Sequence, residues 1–266
     1  MRSAVGLVLG AVSVIACRPS ATPDTLDLTQ YRVVDLSHSF GPRTLYWPTA
    51  TSRFDLDTLS RGMTPGGYFY SANALATPEH GGTHLDAPIH FFQSGRSTDQ
   101  IPVEQLIAPA IVIDITSQVA QHTDYLLTAE DVLAWERAND SIPRGAIVLL
   151  RTGYSRHWPN ARAYLGDDRP GDASNLHFPS FGPDAARLLV EQRGVGALGA
   201  DVASIDHGPS KDFQVHRIAA AANVVGLENL TNLDQLPPTG AIVIALPMKI
   251  EGGSGGPLRA IGLVRR

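Results

Sequence analysis

Cysteine is nearly missing: Cys17 is the only one in 266 residues. No disulfide can form within the chain, and beyond residue 17 no thiolate is available as nucleophile or metal ligand. The chemistry of the folded body must therefore rest on His, Asp, Glu and water. Basic charge is also short. Lys and Arg number 21 against 26 Asp and Glu, a formal net charge of -5, which lacks the clustered positive surface that a nucleic acid requires. No nucleic-acid partner is expected. The apolar run Ala4 to Ala16 falls short of the roughly 20 residues a membrane-spanning helix needs. There is no repeat at solenoid period, no heptad pattern and no low-complexity tract. What remains is a chain long enough, at 266 residues and 43% hydrophobic, to bury one large core as a single domain.

The N-terminus does carry a signal. Met1-Arg2 precedes the apolar run, which closes in Val14-Ile15-Ala16-Cys17, a pattern that suits a signal-peptide core. With the cysteine placed directly after a small residue, residues 1–17 resemble a bacterial lipoprotein signal ending in its lipobox. That resemblance implies lipidation of Cys17, export to the cell envelope and a periplasm-facing protein that meets the membrane only through its lipid anchor. A simply cleaved signal is the alternative. Residues 18–30 read as a flexible tether, and 31–266 as the folded domain.

Within that domain Tyr31 to Leu36 reads as a strand, followed by a long irregular loop over residues 41–70, rich in Gly, Pro and aromatics and placed to cover a pocket. Continuous apolar runs at Ala110 to Ile115, Ala146 to Leu150, Val195 to Leu198, Asn223 to Leu227, Ala241 to Leu246 and Leu258 to Val264 read as buried strands. Helices are expected after Thr128, which caps an acidic first turn, through about Arg137, and over Pro183 to Gln192 and Phe213 to Ala222. The alternation predicts an α/β domain with a mixed sheet flanked by helices. Residues 155–180, heavy in Asp, Pro, Gly and Asn, read as one long inserted loop.

The densest chemistry lies in His80-Gly81-Gly82-Thr83-His84-Leu85-Asp86-Ala87-Pro88-Ile89-His90, with three imidazoles and a carboxylate in eleven residues. Imidazole and carboxylate together suit zinc, manganese or iron, and three protein ligands leave a position open for catalysis. The double glycine disfavours a helix. In an extended segment His84 and Asp86 face one side and can grip one ion, whereas His90 lies too far along to join them without a bend. Its expected work is proton transfer. His216, on the alanine-rich helix, and Glu228, at a strand end, are weaker candidates; such a pair is more often a satisfied polar contact. Tyr68, Phe69, Tyr70, Phe91 and Phe92 are candidates for an aromatic wall. Gly252 to Gly256 reads as a tight turn near the pocket, and His122, His157, His177 and His207 as loop or surface residues.

The motif His80-Gly-Gly-Thr-His84-x-Asp86-x-Pro88-x-His90-Phe91, the run Gly199-Ala-Asp201-x-x-Ser204-Ile205-Asp206, and His216 twelve residues before Glu228-Asn229-Leu-x-Asn232-Leu233 together resemble the metal-dependent cyclase family, from about Val33 to Val264. That family includes bacterial kynurenine formamidases and isatin hydrolases. The resemblance implies its swivelling β/β/α-like fold, and a divalent metal, zinc or manganese, held by His80, His84 and Asp86. It further implies a proton donor and acceptor at His90, a second ion helped by His216 and Glu228, and a homo-oligomer. Trp47, in Tyr46-Trp47-Pro48, is the matching candidate for an aromatic substrate contact. The chain's length and its Lys249 to Pro257 loop are closer to the isatin hydrolase branch than to the compact formamidases.

The expected function is hydrolysis of a small aromatic amide by metal-activated water, the amide being an isatin-like lactam or an N-formyl aryl amine. An envelope protein that binds a metal or an aromatic ligand without turnover is one alternative. A lyase or cyclase of the same family is another.

Overall fold

In the computed structural model, residues 27–266 are described; the expected signal segment, Cys17 and most of the tether lie outside them. Most of the apolar runs become strands of one eight-stranded sheet. The strands are β1 (Tyr31–Asp35), β2 (Asp55–Met63), β3 (Phe69–Ala76), β4 (His84–Asp86), β5 (Ile107–Asp114), β6 (Leu126–Leu127), β7 (Ile147–Arg151), β8 (Ser180–Phe181), β9 (Ala197–Ala200), β10 (Val225–Glu228), β11 (Ala241–Pro247) and β12 (Gly255–Arg265). The helices are α1 (Thr116–Val119), α2 (Ala129–Asn139), α3 (Ala161–Leu165), α4 (Pro183–Arg187), continued as a π-helical turn over Leu188–Arg193, and α5 (Gln214–Ala221). Thr128 caps α2 as expected, accepting from Asp131 N-H while Asp131 reaches back, which satisfies two donors that the helix itself leaves unpaired.

The sheet runs β1-β12-β11-β5-β7-β9-β10-β4, and β4 pairs again with β12. It therefore closes on itself, with β1 added to the outside of β12. β5, β7, β9 and β10 are parallel neighbours; the pairings of β4, β11 and β12 are antiparallel. The mixed sheet of the sequence expectation is thus present, in barrel-like form.

Strand alternation explains why this closure yields two cores. Ala108, Ala110, Val112, Ile147 and Leu149 point into the barrel with Leu85, Val225 and Leu227. Their neighbours Ile111, Ile113, Val148 and Leu150 point outward, where α4 and α5 cover them with Leu189, Val215 and Ala219. Strands buried on both faces read as continuous apolar runs for this reason.

Two expectations are corrected. Residues 41–70 are not one irregular loop: residues 55–76 form an antiparallel hairpin, β2 with β3, with a bulge at Leu59. Likewise 155–180 is not a bare loop. It contains α3 and β8 and sends Tyr164, Leu165, Leu176 and Phe178 into the outer core.

Candidate metal centre and active site

The site lies where β4 meets β10 and β12. Antiparallel pairing sets His84 opposite Glu228 and Asp86 opposite both Gly226 and Gly255. Neither glycine has a side chain to crowd the carboxylate; a Cβ at Gly255 would lie 2.6 Å from His80 Cε1. The chain approaches through Gly81, φ +151°, where a Cβ would fall 2.0 Å from the Tyr46 ring. Only glycine fits there.

His80, His84, Asp86, His216 and Glu228 converge. One donor atom from each of His80, His84 and Asp86 lies within 4.8 Å of the others, and the same holds for Asp86, His216 and Glu228. Asp86 belongs to both groups. Its Oδ1 is 2.6 Å from His80 Nδ1 and 3.1 Å from His84 Nε2, and its Oδ2 is 3.0 Å from His216 Nε2. Glu228 Oε1 lies 3.1 Å from His216 Nε2 and accepts from Ile205 N-H at 2.9 Å.

Each histidine has its second ring nitrogen engaged elsewhere, which aims the first at the cluster. His84 Nδ1 faces Gly82 O at 3.0 Å, His216 Nδ1 faces Asp206 Oδ2 at 2.7 Å, and His80 Nε2 faces Ser254 Oγ at 2.9 Å. Ser254 donates to Glu79 Oε2 at 2.5 Å. A chain of polar groups therefore runs from the surface to Asp86. Asp206 does two jobs, since its carboxylate also accepts the N-H groups of Val215 and His216, donors that the first turn of α5 leaves free.

Burial opposes the charge on Asp86, yet the flanking His80 and His84 hold its carboxyl well below the usual carboxylate range. Burial likewise disfavours a charged His84, but Asp86 and Glu228 outweigh it and raise its pKa to about 9. His216 is pushed well above the ordinary value: its bonds to Asp206, Asp86 and Glu228 prevail over burial. This is a pocket built to hold positive charge. The donor set is nitrogen and oxygen in buried, pre-aimed positions, and it fits a divalent cation.

His90 is placed differently. The chain bends at Pro88 into a 3-10 turn, Pro88–His90, and the His90 ring stacks on His80 with centroids 3.8 Å apart. It belongs to neither donor group. His90 is exposed at the cavity edge, and desolvation by the groups packed around it lowers its pKa to about 4, only partly offset by Asp86. A neutral imidazole at the cavity edge is the form able to accept a proton.

These groups floor a cavity of about 270 Å³ whose walls are Trp47, Phe91, Phe213, Ala203 and Ser204. Of the aromatic candidates, Phe91 and Trp47 line it. Tyr68, Phe69 and Tyr70 do not; they sit exposed on or beside the β2–β3 hairpin, and Phe92 is also exposed. Gly252 to Ser254 forms the expected turn, with Gly255 and Gly256 already opening β12, and brings Ser254 to His80. Among the four histidines set aside, His122 and His177 are exposed and His157 and His207 partly buried, none of them lining this cavity.

Sequence reasoning missed Asp206 as the partner of His216, Phe213 as a wall, and the pair Glu79 and Ser254. The cue in the sequence was thin: Asp206 stands ten residues before His216, but Ser254 is 174 residues from His80.

Residues 34–207 match the family described as putative cyclase. An isatin hydrolase of Roseibium aggregatum is 36% identical over 249 residues, spanning 88% of this chain and 92% of its own. A kynurenine formamidase of Salinibacter ruber is 29% identical over 236 residues, spanning 86% and 96%. The solved isatin hydrolase A from Ralstonia solanacearum superposes with a TM-score of 0.82 at 36% identity, covering 93% of this chain and 100% of that one. The closed mixed sheet, the histidine motif and these relatives lead to one conclusion: the chain belongs to the putative cyclase family of metal-dependent hydrolases.

Proposed function

We propose that this chain is a metal-dependent amidohydrolase that opens a small cyclic amide of the isatin type, with N-formyl aryl amines as the second substrate class. The observation that carries the reading is the position of His90, beside the donor cluster but outside it, at the edge of an aromatic-walled cavity. The relatives named for isatin and kynurenine-formamide hydrolysis support the same reaction class. The cavity, at about 270 Å³, is nearly twice the roughly 150 Å³ that holds a benzene ring, so a fused or substituted ring fits.

His80, His84 and Asp86 would hold one ion, zinc or manganese, and Asp86, His216 and Glu228 a second. A divalent cation bound there supplies Lewis-acid activation of water and of the amide carbonyl. Trp47, Phe91 and Phe213 sandwich the aromatic ring, exclude bulk water and orient the carbonyl toward the cluster. His90 takes up a proton as water attacks and returns it to the leaving nitrogen. The return decides the outcome, because an unprotonated amide nitrogen is a very poor leaving group. The stack on His80 keeps the His90 ring in place for both transfers. From a lactam the product is a single amino carboxylate.

Protein loaded separately with zinc and manganese should release carboxylate from isatin-like lactams or formyl anilides, with solvent oxygen in the product by mass spectrometry. Absence of turnover on both classes with both metals sinks the proposal. Export with lipidation at Cys17 is proposed on the sequence pattern alone: intact mass of membrane-extracted protein should show an acylated Cys17, and Cys17→Ser should release the protein.

A further inference from the structure

Among the described residues, five besides glycine have a positive φ: Asp140, Asn223, Asn229, Asn232 and Phe213. Four are Asp or Asn, whose short polar side chains tolerate the left-handed region, whereas a bulky aromatic residue there is a genuine outlier. Phe213, at φ +49° and ψ +47°, stands immediately before α5. Neither the helix nor the packing of the core calls for it. Its side chain does not cap α5, a position that favours Ser, Thr, Asp or Asn; the N-H groups of Val215 and His216 are taken by Asp206 instead. Nor does its partly buried ring join either hydrophobic core. Its aromatic neighbours all line the cavity: Phe91 at 5.3 Å between ring centroids, His216 at 6.1 Å and Trp47 at 6.3 Å.

We propose that Phe213 is a specificity-determining residue: its backbone is held in the left-handed region so that its ring closes one wall of the cavity and limits the substrate to a neutral, flat system of two fused rings. This role rests on the reading of the cavity as the substrate site of the hydrolase. Backbone strain persists only where the surrounding structure over-determines it, and it gathers at ligand sites. Here the groups that hold it are identifiable. Ser210 Oγ accepts from Phe213 N-H at 3.2 Å and donates to Asp206 Oδ1 at 3.4 Å, while Phe213 O accepts from Arg217 N-H at 3.0 Å. The turn from His207 to Asp212 is therefore tied at both ends to Asp206, the carboxylate that also faces His216 Nδ1. Cavity wall and donor cluster share one anchor. A ring fixed before the ligand arrives has little freedom left to lose, so binding gains from its preorganisation. No lysine or arginine lines the cavity, and an anionic substituent pressed against aromatic walls would go unpaired, which is why the ring system that Phe213 admits is a neutral one.

Binding and melting together separate this role from packing, and neither readout needs turnover. Calorimetry on the metal-loaded protein uses oxindole, a neutral fused lactam, and its bulkier N-benzyl derivative. Phe213→Asn, which suits the left-handed backbone but lacks the ring, should bind oxindole about 10-fold or more weakly than the parent and melt no lower than the parent. Phe213→Ala should reverse the parent's preference and take the N-benzyl derivative more tightly than oxindole. Ser210→Ala keeps the ring but frees the backbone, and should weaken oxindole binding about 2–10-fold, with Ser210→Thr restoring it. Parallel loss of affinity and melting temperature in Phe213→Asn, an affinity that Phe213→Asn leaves unchanged, or a size preference that Phe213→Ala leaves intact overturns the proposal. So does a parent that binds neither compound. A parent that shows the whole binding pattern yet hydrolyses no lactam or formyl anilide sinks the hydrolase reading and supports the role of Phe213.

Discussion

The donor cluster and the β2–β3 arm are opposite violations of the same rule. At the cluster, two carboxylates and two imidazoles are almost fully buried, an arrangement that is expensive unless a cation or protons balance it. On the arm, large apolar side chains stand in water, which is expensive unless another surface covers them. The contrast teaches that the two exceptions differ in kind, one buried and charged, the other exposed and apolar.

That contrast can be broken most severely at Asp86. It serves both donor groups, so Asp86→Ala should abolish turnover and stoichiometric metal, read by elemental analysis of the purified protein, while the fold persists. Retained metal with full activity would separate Asp86 from the chemistry. His90→Ala sits next: kcat should fall about 10²–10⁴-fold, the usual worth of a positioned acid-base group, with metal content unchanged. A parallel loss of metal would instead place His90 among the ligands. Ser254→Ala removes the outer partner of His80 and should weaken metal binding about 10–100-fold, measured by competition with a chromogenic chelator.

A fourth test concerns a buried group that neither exception uses. His38 stacks on Trp158 at 4.2 Å and its Nε2 has no hydrogen-bond partner among the described residues; burial lowers its pKa to about 4. The folded ring stays neutral where the unfolded one, near pKa 6.5, takes a proton. Its contribution is therefore complete above about pH 6.5 and is lost as pH falls toward 4, by about 1–2 kcal/mol once partial exposure is allowed for. His38→Phe, which keeps the stack, should flatten that slope in urea titrations at pH 7 and 4.5. The smallest effect belongs to the arm. Met63→Ser should change unfolding free energy by under about 0.5 kcal/mol, because the described residues leave its side chain mostly exposed.

Legibility in the sequence followed the span of the interactions. The histidine motif was readable because His80, His84, Asp86 and His90 are contiguous, and the buried strands because both faces are apolar. The arm was misread: Gly, Pro and aromatics mark loops in general, and β2 alternates Asp55-Leu56-Asp57 without an inner face to report. In the 155–180 segment four buried anchors, Tyr164, Leu165, Leu176 and Phe178, are hidden in a loop-like composition. His216 and Glu228 needed the family resemblance, since a helix histidine and a strand-end glutamate carry no local signature. Glu79 with Ser254, and the cap that Asp206 places on α5, exist only after folding brings distant segments together.

The cavity wall has a consequence for how this scaffold can diverge. Trp47, Phe91 and Phe213 come from three separate stretches of chain, and none of them belongs to either donor group. Phe91 packs on the His90 and His216 rings and on Phe213, whereas Trp47 packs on Phe178 and Phe213; ring size and shape can accordingly be retuned at Trp47 while the reaction machinery is inherited intact, so one catalytic apparatus can serve a succession of differently shaped amides.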